Sequence, residues 1–217
     1  MKQLVDNFYL NAFILIIIGY LIGSFPSAYI AGKIKKINIL EVGSKNIGGM
    51  NTFTSVGKIA GVFVIILDMG KGFLSAWLAY KFSGQIAISL FALAAAMVGH
   101  NWMIYIGFKG GKGLSTLIGG LLYLSAFSIL FLYIIFVPIF LFITKDVYLG
   151  QAAALFTFSF FMWGWTKNFW WLIFGIIVTA IYFIKSFPLI KSYYLDNRRE
   201  VYGLLKKIFK PIFKEDK

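Results

Sequence analysis

Leu114–Thr144 reads LSTLIGGLLYLSAFSILFLYIIFVPIFLFIT, an uncharged run of 31 residues. As one helix it would measure about 46 Å, longer than a bilayer core of about 30 Å, yet it falls short of two spans of about 20 residues each. One helix or two sets the number of membrane crossings and the side on which everything later in the chain lies. Charge decides between them. If the run breaks near Tyr123–Ser128, the chain crosses seven times and its lysines and arginines divide 17 against three. The 17 are Lys33, Lys35, Lys36, Lys45 and Lys58, then Lys109, Lys112 and Lys145, and nine from Lys185 onward; the three are Lys2, Lys81 and Lys167, with Lys71 inside a span. As a single helix the same residues divide 8 against 12. Cytoplasmic loops carry the Lys/Arg excess, so the run is expected to be two helices. The fold class that follows is all-α: a polytopic membrane helical bundle of about seven transmembrane helices, N-terminus outside and C-terminus cytoplasmic.

Composition agrees. The chain is 60% hydrophobic with a mean hydropathy of +0.83, against roughly 45–50% apolar usage in soluble domains. It has no cysteine, which excludes disulfides, thiolate nucleophiles and Cys-based metal sites. One histidine argues against zinc and haem, so no cofactor and no metal is expected. The net charge of +13 is spread over loops and a tail without a single basic face. That pattern fits orientation and anionic membrane lipids as partners, not nucleic acid.

The other spans follow from apolar length. Phe8 to about Ala31 is too long for a signal-peptide core, and Gly23-Ser24-Phe25-Pro26-Ser27 should loosen its helix. Ile59–Tyr80 carries Asp68 and Lys71, whose i, i+3 spacing lets them neutralise each other. Gln85 to about Tyr105, Val147–Trp163 and Phe169 to about Ile190 complete the set, with Pro188 expected to end the last helix. Trp163, Trp165, Trp170 and Trp171 read as an interfacial belt. Residues 1–190 form one transmembrane domain, and 191–217 a basic amphipathic tail lying on the inner leaflet.

Two loops carry the chemistry. In Gly107-Phe108-Lys109-Gly110-Gly111-Lys112-Gly113, four glycines let backbone N–H groups turn toward a ligand and two lysines supply positive charge. The helix starting at Leu114 adds its positive dipole end, so a phosphate-type anion is the natural guest. The only histidine, His100, lies just upstream. The other loop reads Val42-Gly43-Ser44-Lys45-Asn46-Ile47-Gly48-Gly49-Met50-Asn51-Thr52, in which hydroxyl, amide and N–H donors converge on a ligand or form an ordinary solvated turn. A nucleotide P-loop would need Ser or Thr after Lys112, where Gly113 stands.

These segments, together with Tyr20-Leu21-Ile22-Gly23-Ser24-Phe25-Pro26, resemble over about residues 18–118 the bacterial membrane acyltransferases that use acyl phosphate and glycerol 3-phosphate. The resemblance implies acyl transfer to the 1-hydroxyl of glycerol 3-phosphate, giving lysophosphatidic acid and phosphate. By the same resemblance, Lys112, Ser44 and Asn46 would be the catalytic set. Gly110, Gly111, Gly113, Lys109, Asn51, His100 and Gly43 would bind substrate. The enzyme that makes acyl phosphate would be a partner, and the site would face the cytoplasm of a bacterial cell membrane. Position 105 is Tyr, so His100 does not begin the HxxxxD motif of the other common glycerolipid acyltransferases. The chain departs from the family pattern at Thr54, where an Arg is usual, at Lys145–Gln151, and at Ile184–Pro188, where the family's His and Asn have no match; Arg198 and Arg199 are candidate replacements. Two other readings stay open: a member with altered acceptor chemistry that binds a phospho-ligand, and a small transporter component using Asp68 and Lys71.

Overall fold

A computed structural model describes residues 2–195, and the regular elements among them are helical. Helix α1 (Lys2–Gly23) breaks at Ser24–Pro26, where proline has no N–H to give, and the chain resumes as α2 (Ser27–Ile34). Then come α3 (Gly49–Ser55), α4 (Lys58–Ser83) and α5 (Ile86–Asn101). After a long loop follow α6 (Leu114–Leu124), α7 (Ala126–Leu130), a π-type stretch (Phe131–Phe136) and α8 (Val137–Thr144). The last two are α9 (Val147–Thr166) and α10 (Phe169–Leu195). Among the described residues, five stretches are long and apolar enough to cross a membrane: Asn7–Ile34, Lys58–Ser83, Ala126–Thr144, Val147–Thr166 and Phe169–Ser192. α5 and α6 are shorter apolar helices.

The run that decides the fold does break. Ser125 leaves helical geometry at φ −167°, ψ 91°, and its carbonyl accepts from the Ser128 backbone N–H at 3.0 Å, starting the next helix. The two ends of the run come back together, since the Lys112 ammonium sits 4.6 Å from the centre of the Tyr148 ring. A single straight helix would hold those ends about 46 Å apart. Leu114–Thr144 therefore folds back on itself.

α5 is the hub, packed against α1, α4, α6 and α10. Its sixteen residues measure about 24 Å, short for a bilayer core. Those neighbours bury Leu90, Ala92, Leu93, Ala96 and Met97. Close approach is bought with small residues: a Cβ on Gly23 would overlap the Ala96 carbonyl, and one on Gly72 the Thr116 carbonyl. Phe13, Phe63, Ile66, Ile134 and Phe142 face outward, as a lipid-facing surface requires.

Three expectations need correction. The third span stops at Asn101, because the chain turns there into the glycine loop. Pro188 lies inside α10, which continues to Leu195; a membrane helix tolerates an internal proline where local adjustment satisfies the freed backbone groups. Trp171 belongs to the core, edge-on to Phe174 at 6.1 Å, while Trp163, Trp165 and Trp170 are exposed. The tail beyond Leu195, with Arg198 and Arg199, lies outside the described residues.

Candidate active site

The first loop is organised by Asn51, which is buried at the start of α3. Its amide donates to the carbonyls of Ile39, Val42 and Asn46 at 3.3, 3.2 and 3.0 Å. Its carbonyl oxygen accepts from the Ser44 N–H at 3.0 Å and the Ser55 hydroxyl at 3.2 Å. One side chain thus uses its whole hydrogen-bonding capacity to close the loop. Gly43 is left-handed at φ +56°, and a Cβ there would overlap the Asn51 and Ser55 oxygens. Closure leaves Ser44 exposed and Asn46 half-buried at the rim.

The second loop closes on itself. The Met103 N–H donates to the Lys109 carbonyl at 3.1 Å, the Phe108 N–H to the Met103 carbonyl at 2.9 Å, and the Gly111 N–H to the His100 carbonyl at 3.0 Å. Gly113, at φ +78°, turns the chain into α6.

The two loops meet. A cavity of about 230 Å³ is lined by Ser44, Lys45 and Asn46 from the first, Gly110 and Lys112 from the second, and Tyr148, Lys185 and Leu189 from α9 and α10. Among the described residues its lining holds three lysines and no carboxylate. Lys112 is half-buried over the Tyr148 ring, and burial, with the Lys185 charge added, pulls its ammonium pKa down to about 8. Lys185 donates to the Asn101 carbonyl at 2.6 Å and lies 5.2 Å from the Trp102 ring centre. Two like cations facing one small space favour a multiply charged anion between them.

Of the residues singled out in the sequence, Ser44, Asn46, Gly110 and Lys112 line this cavity. Gly43 and Asn51 shape the first loop from behind. Gly111 and Gly113 are buried within the second, and Lys109 stands exposed on its shoulder. His100 is buried behind Gly111, where a Cβ would overlap its Nε2. Sequence reading missed Tyr148 and Lys185. Nothing marks Tyr148 in the sequence. Lys185 was legible as a cation in an otherwise apolar span, the sign that singled out Asp68 and Lys71, but it was counted with the tail.

A family model described as glycerol-3-phosphate acyltransferase matches residues 13–193. This chain belongs to the glycerol-3-phosphate acyltransferase family. Among its relatives, a "Glycerol-3-phosphate acyltransferase 1" of Dehalococcoides mccartyi is 33% identical over 194 residues, covering 86% of this chain and 89% of the relative. A glycerol-3-phosphate acyltransferase of Endomicrobium trichonymphae is 43% identical over 141 residues, covering 64% and 70%. The fold matches a crystal structure of PlsY, an integral membrane glycerol 3-phosphate acyltransferase, in its glycerol 3-phosphate form: TM-score 0.75, 30% identity, 87% of this chain and 94% of that one. The lysophosphatidic acid form of PlsY matches at TM-score 0.74 and 29% identity. For this acyltransferase, family and membrane-embedded helical fold therefore agree.

Proposed function

We propose that the cavity transfers an acyl group from acyl phosphate to the 1-hydroxyl of glycerol 3-phosphate, giving 1-acyl-glycerol 3-phosphate and inorganic phosphate. One observation carries the reading: two separate loops and the last span bring Ser44, Asn46, Gly110, Lys112 and Lys185 to a single cationic cavity. Both substrates present a phosphate, and the PlsY structures that this fold matches are of a glycerol 3-phosphate acyltransferase in its glycerol 3-phosphate and lysophosphatidic acid forms. In the reaction the acceptor oxygen attacks the acyl carbonyl carbon, a C–O ester bond forms, and the C–O bond to phosphate breaks. The hydroxyl proton leaves with a substrate phosphate. Acyl phosphate already has a good leaving group, so the work left to the protein is positioning and charge neutralisation. Lys112 and Lys185 neutralise phosphate, the Gly110 turn lets backbone approach it, and Ser44 and Asn46 supply the polar wall.

The positive-inside count supports placing both loops, and hence the cavity, on the cytoplasmic face of the cell membrane. It also supports seven crossings, with α5 and α6 as the short members. The acyl-phosphate-producing enzyme would then deliver its product from the cytosol, and anionic lipids would surround the basic face. The test is purified full-length chain in nanodiscs with acyl phosphate and glycerol 3-phosphate. Phosphate release should match 1-acyl-glycerol 3-phosphate formed, mole for mole. Phosphate release without acylated product would sink the reading.

A further inference from the structure

Behind the glycine turn lies a buried polar cluster that the acyl-transfer chemistry does not use. Asp68 Oδ1, on α4, accepts from the Ser27 hydroxyl at 2.5 Å and from the Lys71 ammonium at 2.6 Å; Lys71 Nζ also lies 3.2 Å from the Ser27 oxygen. On the other side, His100 Nδ1 of α5 stands 3.7 Å from the same carboxylate oxygen. All four side chains are at most 5% exposed. Asp68 Oδ2 and His100 Nδ1 have no hydrogen-bond partner among the described residues, although both are enclosed. An ion pair buried at this depth contributes little net stability compared with apolar residues of the same size. Its value lies elsewhere.

His100 links the cluster to the cavity. Its carbonyl accepts the Gly111 N–H at 3.0 Å, and its Nε2 fills the space that a side chain on Gly111 would need. A displacement of the ring is therefore a displacement of Gly111, and Lys112 is the next residue. Well under 1 Å of closure would bring His100 Nδ1 within hydrogen-bond reach of Asp68.

We propose that Asp68, acting through His100, is a positioning residue for the Gly110–Lys112 turn, setting where Lys112 meets phosphate. Lys71 and Ser27 hold the carboxylate in place for that task. The inference rests on the reading of the cavity as a phosphate site.

The experiment uses full-length chain in nanodiscs, inorganic phosphate binding by calorimetry, and KM and kcat for glycerol 3-phosphate. Asp68→Asn/Lys71→Met removes both charges, so no ion is left buried without a partner. Its thermal midpoint should stay within a few degrees of wild type. Its phosphate Kd and its KM should each rise about tenfold, with kcat changing less, in the range of coupling transmitted through packed neighbours. A double variant with wild-type Kd and KM overturns the proposal and leaves the pair a structural tether. If that variant does not fold, His100→Gln, which keeps the ion pair, carries the same expectation and the same overturning result. Normal phosphate binding by wild type without acyl transfer would sink the acyltransferase reading alone. No phosphate binding by wild type would sink both.

Discussion

Ser44, Asn46, Gly110 and Lys112 reach the cavity from two short loops, whereas Tyr148 and Lys185 reach it from the faces of long helices. The loop half is held by local hydrogen bonds: Asn51 closes its own loop within a dozen residues, and Gly111 folds back on His100. The helical half is held by tertiary packing, in which α10 must lie against α5 for Lys185 to reach the Asn101 carbonyl, 84 positions away. A locally built wall should lose chemistry when altered. A wall built by packing should lose affinity, because its cation is supplied at a distance and helps hold the anion.

Several measurements sharpen or break that contrast. Lys112→Ala should reduce kcat/KM on the order of 10³-fold, the scale of losing one charge-stabilising donor. If the loss is less than tenfold, the loop half does not carry the chemistry. Gly111→Ala forces a Cβ against His100 Nε2 and the Ile47 carbonyl, and should cost about 10²-fold in kcat/KM through misplacement of Lys112. Lys185→Met keeps the length and removes the charge; KM should rise about tenfold to a hundredfold with kcat nearly held, the range of a charge-assisted hydrogen bond. A fall in kcat without a change in KM would erase the distinction between the halves.

pH offers a smaller effect with a definite sign. Lys112 binds an anion only when protonated, and its pKa, depressed by burial to about 8, means that this form is lost as pH rises through that value. Affinity for glycerol 3-phosphate should therefore weaken about tenfold per unit above pH 8. Lys112→Arg should move the alkaline limb upward, since guanidinium does not titrate there. The smallest expected effect is Tyr182→Phe. It removes the hydroxyl that donates to Gln151 between α10 and α9, so thermal unfolding should reveal a loss of about 1 kcal/mol while turnover stays within twofold.

Most of the fold and half of the site were legible in the sequence, for physical reasons that particular residues show. Membrane helices declare themselves because lipid demands apolar length. The fold-back of Leu114–Thr144 showed in the distribution of lysines outside it, although its own letters are uniformly apolar. The loops showed because glycines with polar neighbours serve contiguous backbone turns. Tyr148 was hidden, since a tyrosine near a helix end is ordinarily an anchor. Asn51 and His100 were found as polar residues, but their orientation was not: only packing tells a side chain that faces a ligand from one that holds the loop behind it.

The brevity of α6 has a consequence for biosynthesis. Eleven residues, about 16 Å, offer the translocon too little greasy length to release sideways into lipid on their own. The segment must enter as a passenger of its return partner and settle into the α4 notch at Gly72. Lys112, just ahead of it, therefore leaves the ribosome before that partner and reaches its place only once the pair has settled.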